Sequence, residues 1–134
     1  MATISNFEDL RVWKLSREIV NDIYQLSNQG EISKDYSLKD QIRRSAVSIM
    51  SNIAEGFESG SDKKFAYYIR IAKSSAGECR SQLYILSDQN FISAKQFEDL
   101  KLKLISMSKQ LNSFEVYLKK SQEDRVSEFV IKYG

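Results

Sequence analysis

Residues 38–57 read LKDQIRRSAVSIMSNIAEGF, and this stretch decides the fold. A helix turns by about 100° per residue, so residues three and four apart share one face. An apolar stripe therefore runs along this stretch, formed by Leu38, Ile42, Ala46, Ile49, Ile53 and Phe57. Val47, Met50 and Ala54 widen the stripe to about half of the circumference. A surface helix needs an apolar face of only ~100°, so we expect this one to contact neighbours on more than one side.

Proline is absent from the 134 residues, and only five residues are glycine. Both residue types weaken helices, so their scarcity favours a few long, uninterrupted helices. The length suits one domain with a single core. The formal net charge of +2 is too small to indicate nucleic-acid binding by itself.

The chain carries one cysteine, Cys79, which excludes an internal disulfide and is typical of a reducing compartment. No apolar run approaches the ~18 residues of a membrane-spanning helix. Residues 1–9 lack the basic and then apolar pattern of a signal peptide. We therefore expect a cytoplasmic protein that has no membrane partner.

Three further segments place apolar residues at every third or fourth position, which predicts three more helices. In the last two segments this spacing is unbroken, as in a heptad repeat. The predicted starts follow capping residues, which are Asn6, Ser37 with Asp40, Ser61, and Ser93 with Gln96. The predicted helices span about 7–28, 38–57, 62–88 and 94–120.

Four helices of similar length with short connections pack antiparallel in sequence order. The sequence therefore predicts an all-α fold, an up-down-up-down antiparallel four-helix bundle formed by residues 1–120. Residues 121–134 form a C-terminal tail, whose apolar residues predict docking on the bundle or on a neighbouring subunit.

The second and third predicted helices are rich in small residues, which would let them approach closely. When the chain is folded back about the turn near residues 59–60, Gln41 and Arg44 lie level with Glu78. We predict a charge-assisted hydrogen bond between Glu78 and either Arg44 or Gln41.

The sequence contains no histidine, which excludes Ser-His triads, Cys-His dyads and imidazole metal sites. It also lacks the glycine-rich signatures of phosphate-binding loops. Asn52, Glu55 and Glu58 share one flank of the second helix, where pairing at a helix end is favoured over a two-carboxylate site. Cys79 lies on the apolar seam of the third helix and is expected to pack as a small hydrophobic residue. We therefore expect no enzymatic activity, no cofactor and no metal site.

The third helix presents the best candidate binding surface, on the face opposite its apolar seam. The candidate RNA-binding residues on that face or at its edges are Lys63, Lys64, Tyr67, Arg70, Lys73 and Arg80. Cations interleaved with an exposed aromatic ring suit phosphate contacts and base stacking. The alternative is an ordinary solvated face.

The wide apolar arc of the second helix has two interpretations. It belongs either to the central helix of one bundle or to a surface for self-association, which the width of the arc favours. The candidate interface residues are Arg43, Val47, Met50 and Ala54. Arg43 fits the rim of an interface, where its stem can be buried while its charged head stays paired.

Three segments of the chain carry a resemblance to a known family. They are Phe7-x-x-Leu10-x-Val12-Trp13, most of residues 38–56, and much of residues 65–78. Through them the chain resembles the 23S rRNA intervening-sequence proteins, a family of bacterial four-helix bundles, over about residues 6–120. Met50 stands where that family often has proline, so the second helix should be straighter here.

This resemblance implies a homo-oligomer, a pentameric ring of bundles, and an association with RNA, since members are encoded in insertions within rRNA genes or stand alone. The family has no recognised catalytic residues. A similar bundle type is the accessory protein of diversity-generating retroelements. The leading hypothesis is therefore a non-enzymatic, RNA-associated homo-oligomer. The alternative is a protein–protein scaffold or accessory subunit, for example a partner of a retroelement reverse transcriptase.

Overall fold

The computed structural model describes residues 4–120, and within that range the chain forms helices and no strand. The α-helices are α1 (Arg11–Ser27), α2 (Tyr36–Glu58), α3 (Asp62–Asp88) and α4 (Ala94–Lys119). The predicted C-terminal tail, residues 121–134, lies outside the described residues.

Consecutive helices pack against each other, and α1 also packs against α4, which closes the bundle. Because the connections are short, neighbouring helices run antiparallel, and the predicted up-down-up-down bundle is confirmed. Each helix contributes fully buried side chains to one core, among them Ile19, Ile23, Ile42, Ile49, Ile53, Ile69, Leu83 and Leu104. Among residues 4–120, no helix has both the length and the apolar character that crossing a bilayer demands.

The first helix begins later than predicted. A short 3-10 helix spans Phe7–Asp9, Leu10 is extended (φ −69°, ψ 131°), and α1 starts at Arg11. The predicted cap, Asn6, makes no side-chain capping hydrogen bond. The break lets Leu10 become fully buried while the ring of Phe7 packs edge-on against Trp13, with centroids 5.3 Å apart. Burial of apolar area therefore outweighs the local preference for one continuous helix.

The second helix begins earlier than predicted, because a different residue caps it. The carboxylate of Asp35 accepts the backbone N–H of Leu38 at 3.1 Å, so α2 starts at Tyr36. The predicted capping box of Ser37 and Asp40 is wrong, since Asp40 instead pairs with Arg44.

The starts of α3 and α4 are as predicted. Ser61 caps α3, and a full capping box of Ser93 and Gln96 opens α4. The connection between α1 and α2 contains a 3-10 helix, Gly30–Lys34, in which Ile32 is buried. The two helix starts that rest on local caps are therefore confirmed.

At the ends joined by the α2–α3 turn, the two helices come very close. A Cβ atom added at Gly56 would lie 2.8 Å from the Cβ of Tyr68 and 2.9 Å from a ring carbon of Phe65. The ring of Phe65 also packs edge-on against Phe57 of α2 and Phe114 of α4. This end of the bundle, which holds the first turns of α3, is therefore firmly packed.

Candidate functional site

The first turns of α3 bring four of the predicted RNA-binding residues together. Lys63, Tyr67 and Arg70 are three or four residues apart and share the exposed face of α3, with Lys64 at its edge. Tyr67 is 61% exposed. Within the part of the chain that the structure describes, the three cations have no acidic partner within 4.0 Å. We call these four residues the cationic cluster.

The aromatic ring in this cluster is held in place by its neighbour. The ring centroids of Tyr67 and Tyr68 are 5.4 Å apart, with an interplanar angle of 75°. Such an edge-to-face contact favours one orientation of the Tyr67 ring. The cluster therefore combines exposed lysine charges with an oriented aromatic surface.

Two open cavities flank Tyr67. The first, of about 380 Å³, lies between α3 and α4 and is lined by Asp62, Lys63, Ala66, Tyr67, Arg70, Glu115, Leu118 and Lys119. The second, of about 750 Å³, lies at the α2–α3 turn, where Glu55 and Glu58 line it together with Lys63 and Lys64. The two cavities thus differ in charge, because the second carries two carboxylates without an ion-pair partner among residues 4–120.

Lys73 does not belong to the cationic cluster, although the sequence placed it there. Its ammonium group donates to Asn112 Oδ1 at 3.0 Å and to Glu115 Oε1 at 3.3 Å. Lys119 contacts the other oxygen of Glu115 at 2.7 Å. Lys73 is thus engaged by α4, and its charge is offset by a carboxylate that is almost fully buried.

The surroundings of Glu115 keep it ionised. Burial acts to raise the pKa of its carboxyl group, but hydrogen bonds from Lys119 and Lys73 and their positive charges outweigh burial and lower the pKa. The carboxylate therefore stays charged and holds both lysines at neutral pH.

Arg80, a predicted RNA-binding residue, lies apart from the cationic cluster. Arg80 is ten residues beyond Arg70 on the same helix, a distance of roughly 15 Å, and is half-buried.

Lys119 is a cation at this site that the sequence did not predict. It lines the α3–α4 cavity beside Lys63 and Arg70. Folding the sequence back about residue 91 sets 119 level with 63, so the antiparallel register could have identified it.

The predicted pair between Glu78 and Arg44 or Gln41 is wrong. Arg44 pairs with Asp40 at 2.7 Å, and Gln41 donates to Ser37 at 3.3 Å, both within α2. A partner four residues away on one helix is available before any tertiary contact forms, which favours these local pairs.

Neutral groups connect α2 and α3 instead. The hydroxyl of Ser45 donates to Gln82 Oε1 at 2.7 Å, and the hydroxyls of Ser48 and Ser75 lie 2.8 Å apart. The small residues predicted to permit close approach thus also form the polar contacts between these helices.

The candidate interface residues on α2 have contacts within the chain. Arg43 donates to Ser27 Oγ and Asn28 Oδ1, both at 2.8 Å, and its guanidinium lies 4.3 Å from the ring centre of Tyr24. Met50 and Ala54 are partly buried against the core, and Val47 is half-buried. Part of the wide apolar arc is therefore covered by the bundle itself.

The described residues also bear on catalytic chemistry. Cys79 is fully buried, and burial raises the pKa of its thiol to about 11, so little reactive thiolate forms at neutral pH. Asn52 donates to the backbone oxygen of Ser48 at 2.8 Å on its own helix. Among residues 4–120, no three His, Cys, Asp or Glu side chains gather as a metal site would require.

Comparisons with known proteins point to one family. The sequence profile described as 23S rRNA-intervening sequence protein matches residues 8–113. A crystal structure of a protein with unknown function from the S23 ribosomal protein family of Bacteroides thetaiotaomicron superposes with a TM-score of 0.73 at 26% identity, covering 78% of this chain and 95% of that one. None of the curated proteins compared with the chain matches it. Since the profile spans well over half of the sequence, the chain belongs to the 23S rRNA-intervening sequence protein family.

Proposed function

We propose that this protein is a non-enzymatic, RNA-associated protein that binds RNA phosphates through the cationic cluster. The observation that carries the proposal is the grouping of Lys63, Lys64 and Arg70 around exposed Tyr67, without acidic partners within 4.0 Å in the described range. The name of the family, which refers to intervening sequences of 23S rRNA, supports RNA as the ligand.

The exposed cations of this protein differ in whether they are free to bind a phosphate. A lysine held by a carboxylate, such as Lys73 on Glu115, must break that pair before it can bind a phosphate. Unpaired, exposed cations only exchange water and counterions for phosphate oxygens, and the released counterions favour binding. The cluster therefore offers phosphate contacts at a low desolvation cost.

The test is the salt dependence of RNA binding. We expect affinity to fall steeply as salt is added, and the triple variant Lys63→Glu, Lys64→Glu, Arg70→Glu to lose most of the binding. Because each single-strand phosphate contact contributes about 0.7 to the slope of log affinity against log salt, that slope should fall by about two.

A charge-matched control separates this site from net charge. The triple variant Arg11→Glu, Lys14→Glu, Lys109→Glu reverses three other exposed cations, which also lack an acidic partner within 4.0 Å among residues 4–120, and changes the net charge equally. It should retain most of the affinity. Equal losses in the two triple variants, or binding that does not respond to salt, would contradict the proposed site.

A second proposal concerns self-association through the α1–α2 face. Tyr24 and Tyr36 are 40% and 74% exposed there. The ring of Tyr24 lies against the Arg43 guanidinium, and Tyr36, Arg43 and Val47 recur at helical spacing along α2. Tyrosine and arginine are enriched in protein interfaces, and this face continues the apolar arc of α2. We propose that copies of this chain, as a homo-oligomer such as a pentamer, meet on this face.

The absolute mass in solution tests this second proposal. Light scattering should give a multiple of 15.5 kDa for the wild-type chain and a smaller assembly for Val47→Glu. Val116→Glu changes an exposed valine on α4, which is 48% exposed, and should leave the mass unchanged. A wild-type chain that is monomeric at micromolar concentration would contradict the proposal.

A further inference from the structure

We infer that the cationic cluster binds single-stranded RNA, with one unpaired base stacked on Tyr67 at the mouth of the α3–α4 cavity. This inference rests on the proposed function and specifies which form of RNA the site accepts.

Tyr67 has the exposure and the orientation of a stacking surface. A tyrosine ring contributes little to a fold when 61% of the residue is exposed, yet Tyr68 holds this one in an edge-to-face contact at 5.4 Å. An oriented, exposed ring between two cations of one helix face matches the pattern of single-strand binding surfaces, where bases stack while cations hold the backbone. Stacking tolerates every base, because every base has an aromatic face.

The cavity between α3 and α4 has the volume and the lining that a base requires. Its volume of about 380 Å³ is in the range of small-molecule sites. Ala66 and Leu118 give it apolar lining next to Tyr67, and the cations Lys63 and Arg70, which have no acidic partner within 4.0 Å among residues 4–120, line the same cavity. A base needs an apolar surface for its ring and cations for the adjoining phosphates, and this cavity supplies both.

The two acidic residues at this cavity, Asp62 and Glu115, differ in how strongly they would repel an RNA phosphate. The charge of Glu115 is offset by Lys73 and Lys119, so it adds little repulsion for a phosphate. Asp62 has no ion-pair partner among residues 4–120 and would repel a nearby phosphate, but it can accept a hydrogen bond from a base amino group, as acidic side chains do from cytosine. At the other cavity, the carboxylates of Glu55 and Glu58 have no such offset and would repel a phosphate.

A double-stranded RNA cannot stack a base on the ring of Tyr67. In a duplex the faces of the bases are covered by stacking, and double-stranded RNA is recognised across its shallow groove by shape and by sugar and phosphate contacts. Such a duplex would meet the lysines but would leave the tyrosine ring without a partner. Only an unpaired base can use both parts of the cluster.

The experiment compares two forms of one RNA. A twelve-nucleotide RNA without self-complementarity and the blunt duplex that it forms with its complement are titrated at one salt concentration against the full chain and Tyr67→Ala. Loss of one stacked base should weaken single-strand binding by roughly five-fold to 100-fold, and duplex binding should change less than about two-fold. Tyr67→Phe keeps the ring and should bind as the wild type does.

Tyr84 offers a matched control on the same helix. It is 46% exposed and its ring packs edge-on against Phe97 at 4.9 Å, so Tyr84→Ala removes a similar tyrosine outside the cluster. This variant should bind both RNA forms as the wild type does. A Tyr67→Trp variant adds a fluorescent ring to a chain with one other tryptophan, and single-stranded RNA should quench its emission more than the duplex does.

The outcomes separate the two proposals. Preference for the duplex, a Tyr67→Ala loss that is equal for both forms, or no loss at all would overturn this inference while leaving salt-dependent binding through the lysines in place. Absence of binding to either RNA would overturn both. A loss confined to the single strand and absent from Tyr84→Ala would support the inference.

Discussion

Along α3, the side that faces α2 and the side that faces α4 are built from different residues. Towards α2 the contacts are small and neutral, with Gly56 against Tyr68 and hydroxyl contacts such as Ser48 with Ser75. Towards α4 they include a charged group, in which Lys73 and Lys119 pair with Glu115. Edge-on aromatic contacts occur on both sides, since Phe65 packs against Phe57 of α2 and Phe114 of α4.

Both sides of α3 open a cavity beside Tyr67, and the two cavities differ in charge. At the α2–α3 turn the cavity of about 750 Å³ is lined by Glu55 and Glu58, which have no ion-pair partner among residues 4–120. Towards α4 the cavity of about 380 Å³ is lined by Lys63 and Arg70, which have no acidic partner within 4.0 Å in the described range. The proposed ligand surface is therefore distinguished by its charge and not by the space that it offers.

The largest effect is expected where the α2–α3 contact is tightest. Gly56→Ala places a Cβ 2.8 Å from Tyr68 Cβ and 3.3 Å from the backbone oxygen of Phe65, and neither atom can move away easily. Such overpacking should lower the free energy of unfolding by about 1–3 kcal/mol. Chemical denaturation of the variant and the wild type measures this change.

Gly77 provides the control for this substitution. It lies inside α3, and a Cβ added there meets no atom within 4 Å. Gly77→Ala should therefore raise the free energy of unfolding by about 0.5–1 kcal/mol, because alanine is the better helix former. If Gly56→Ala also raised the free energy of unfolding, the close approach at Gly56 would not limit the packing of α2 on α3.

Most of the fold could be predicted because its signals are local. The heptad spacing and the caps Ser61 and Ser93 lie within a few residues of the helix starts they specify. Leu10 shows where local signals fail, since its extended conformation serves burial by residues far away in sequence. The predicted start of α2 was wrong for a different reason, because both Asp35 and Ser37 are suitable capping residues and Asp35 is the one that caps the helix.

The candidate site was only partly predictable, for a similar reason. Helical periodicity alone places Lys63, Tyr67 and Arg70 on one face. Lys73 is kept out of the cationic cluster by its hydrogen bond to Glu115, which lies 42 residues away in the sequence. Periodicity within one helix cannot reveal such a contact. Periodicity therefore identified which residues share a face, but it predicted neither the partner of Lys73 nor the distance of Arg80 from the cluster along the helix.

A smaller effect is expected on the α4 side, and it depends on pH. Glu115→Gln removes the charge that holds Lys73 and Lys119 but keeps the shape of the side chain. Charge-assisted hydrogen bonds in a largely buried setting contribute more than exposed ones, so the free energy of unfolding should fall by about 1–2 kcal/mol at pH 7. Chemical denaturation at several pH values measures it.

The sign of the pH dependence follows from the lowered pKa of Glu115. A carboxyl group that is more acidic when folded adds stability above its unfolded pKa, and this contribution is lost as the pH falls through the folded pKa. The difference between wild type and Glu115→Gln should therefore be full at pH 7 and shrink below about pH 4.3, the ordinary pKa of glutamate.

Glu98 supplies the control, because it pairs with Lys101 at 3.5 Å while its side chain is 53% exposed. Glu98→Gln should change stability by less than about 0.5 kcal/mol at any pH, since exposed pairs contribute little. A Glu115→Gln difference that is as small as this, or that does not vary with pH, would contradict the ionised carboxylate between Lys73 and Lys119. The α3–α4 contact would then depend on apolar packing, such as that of Phe65 against Phe114, and Lys73 would be free to join the phosphate-binding surface beside Tyr67.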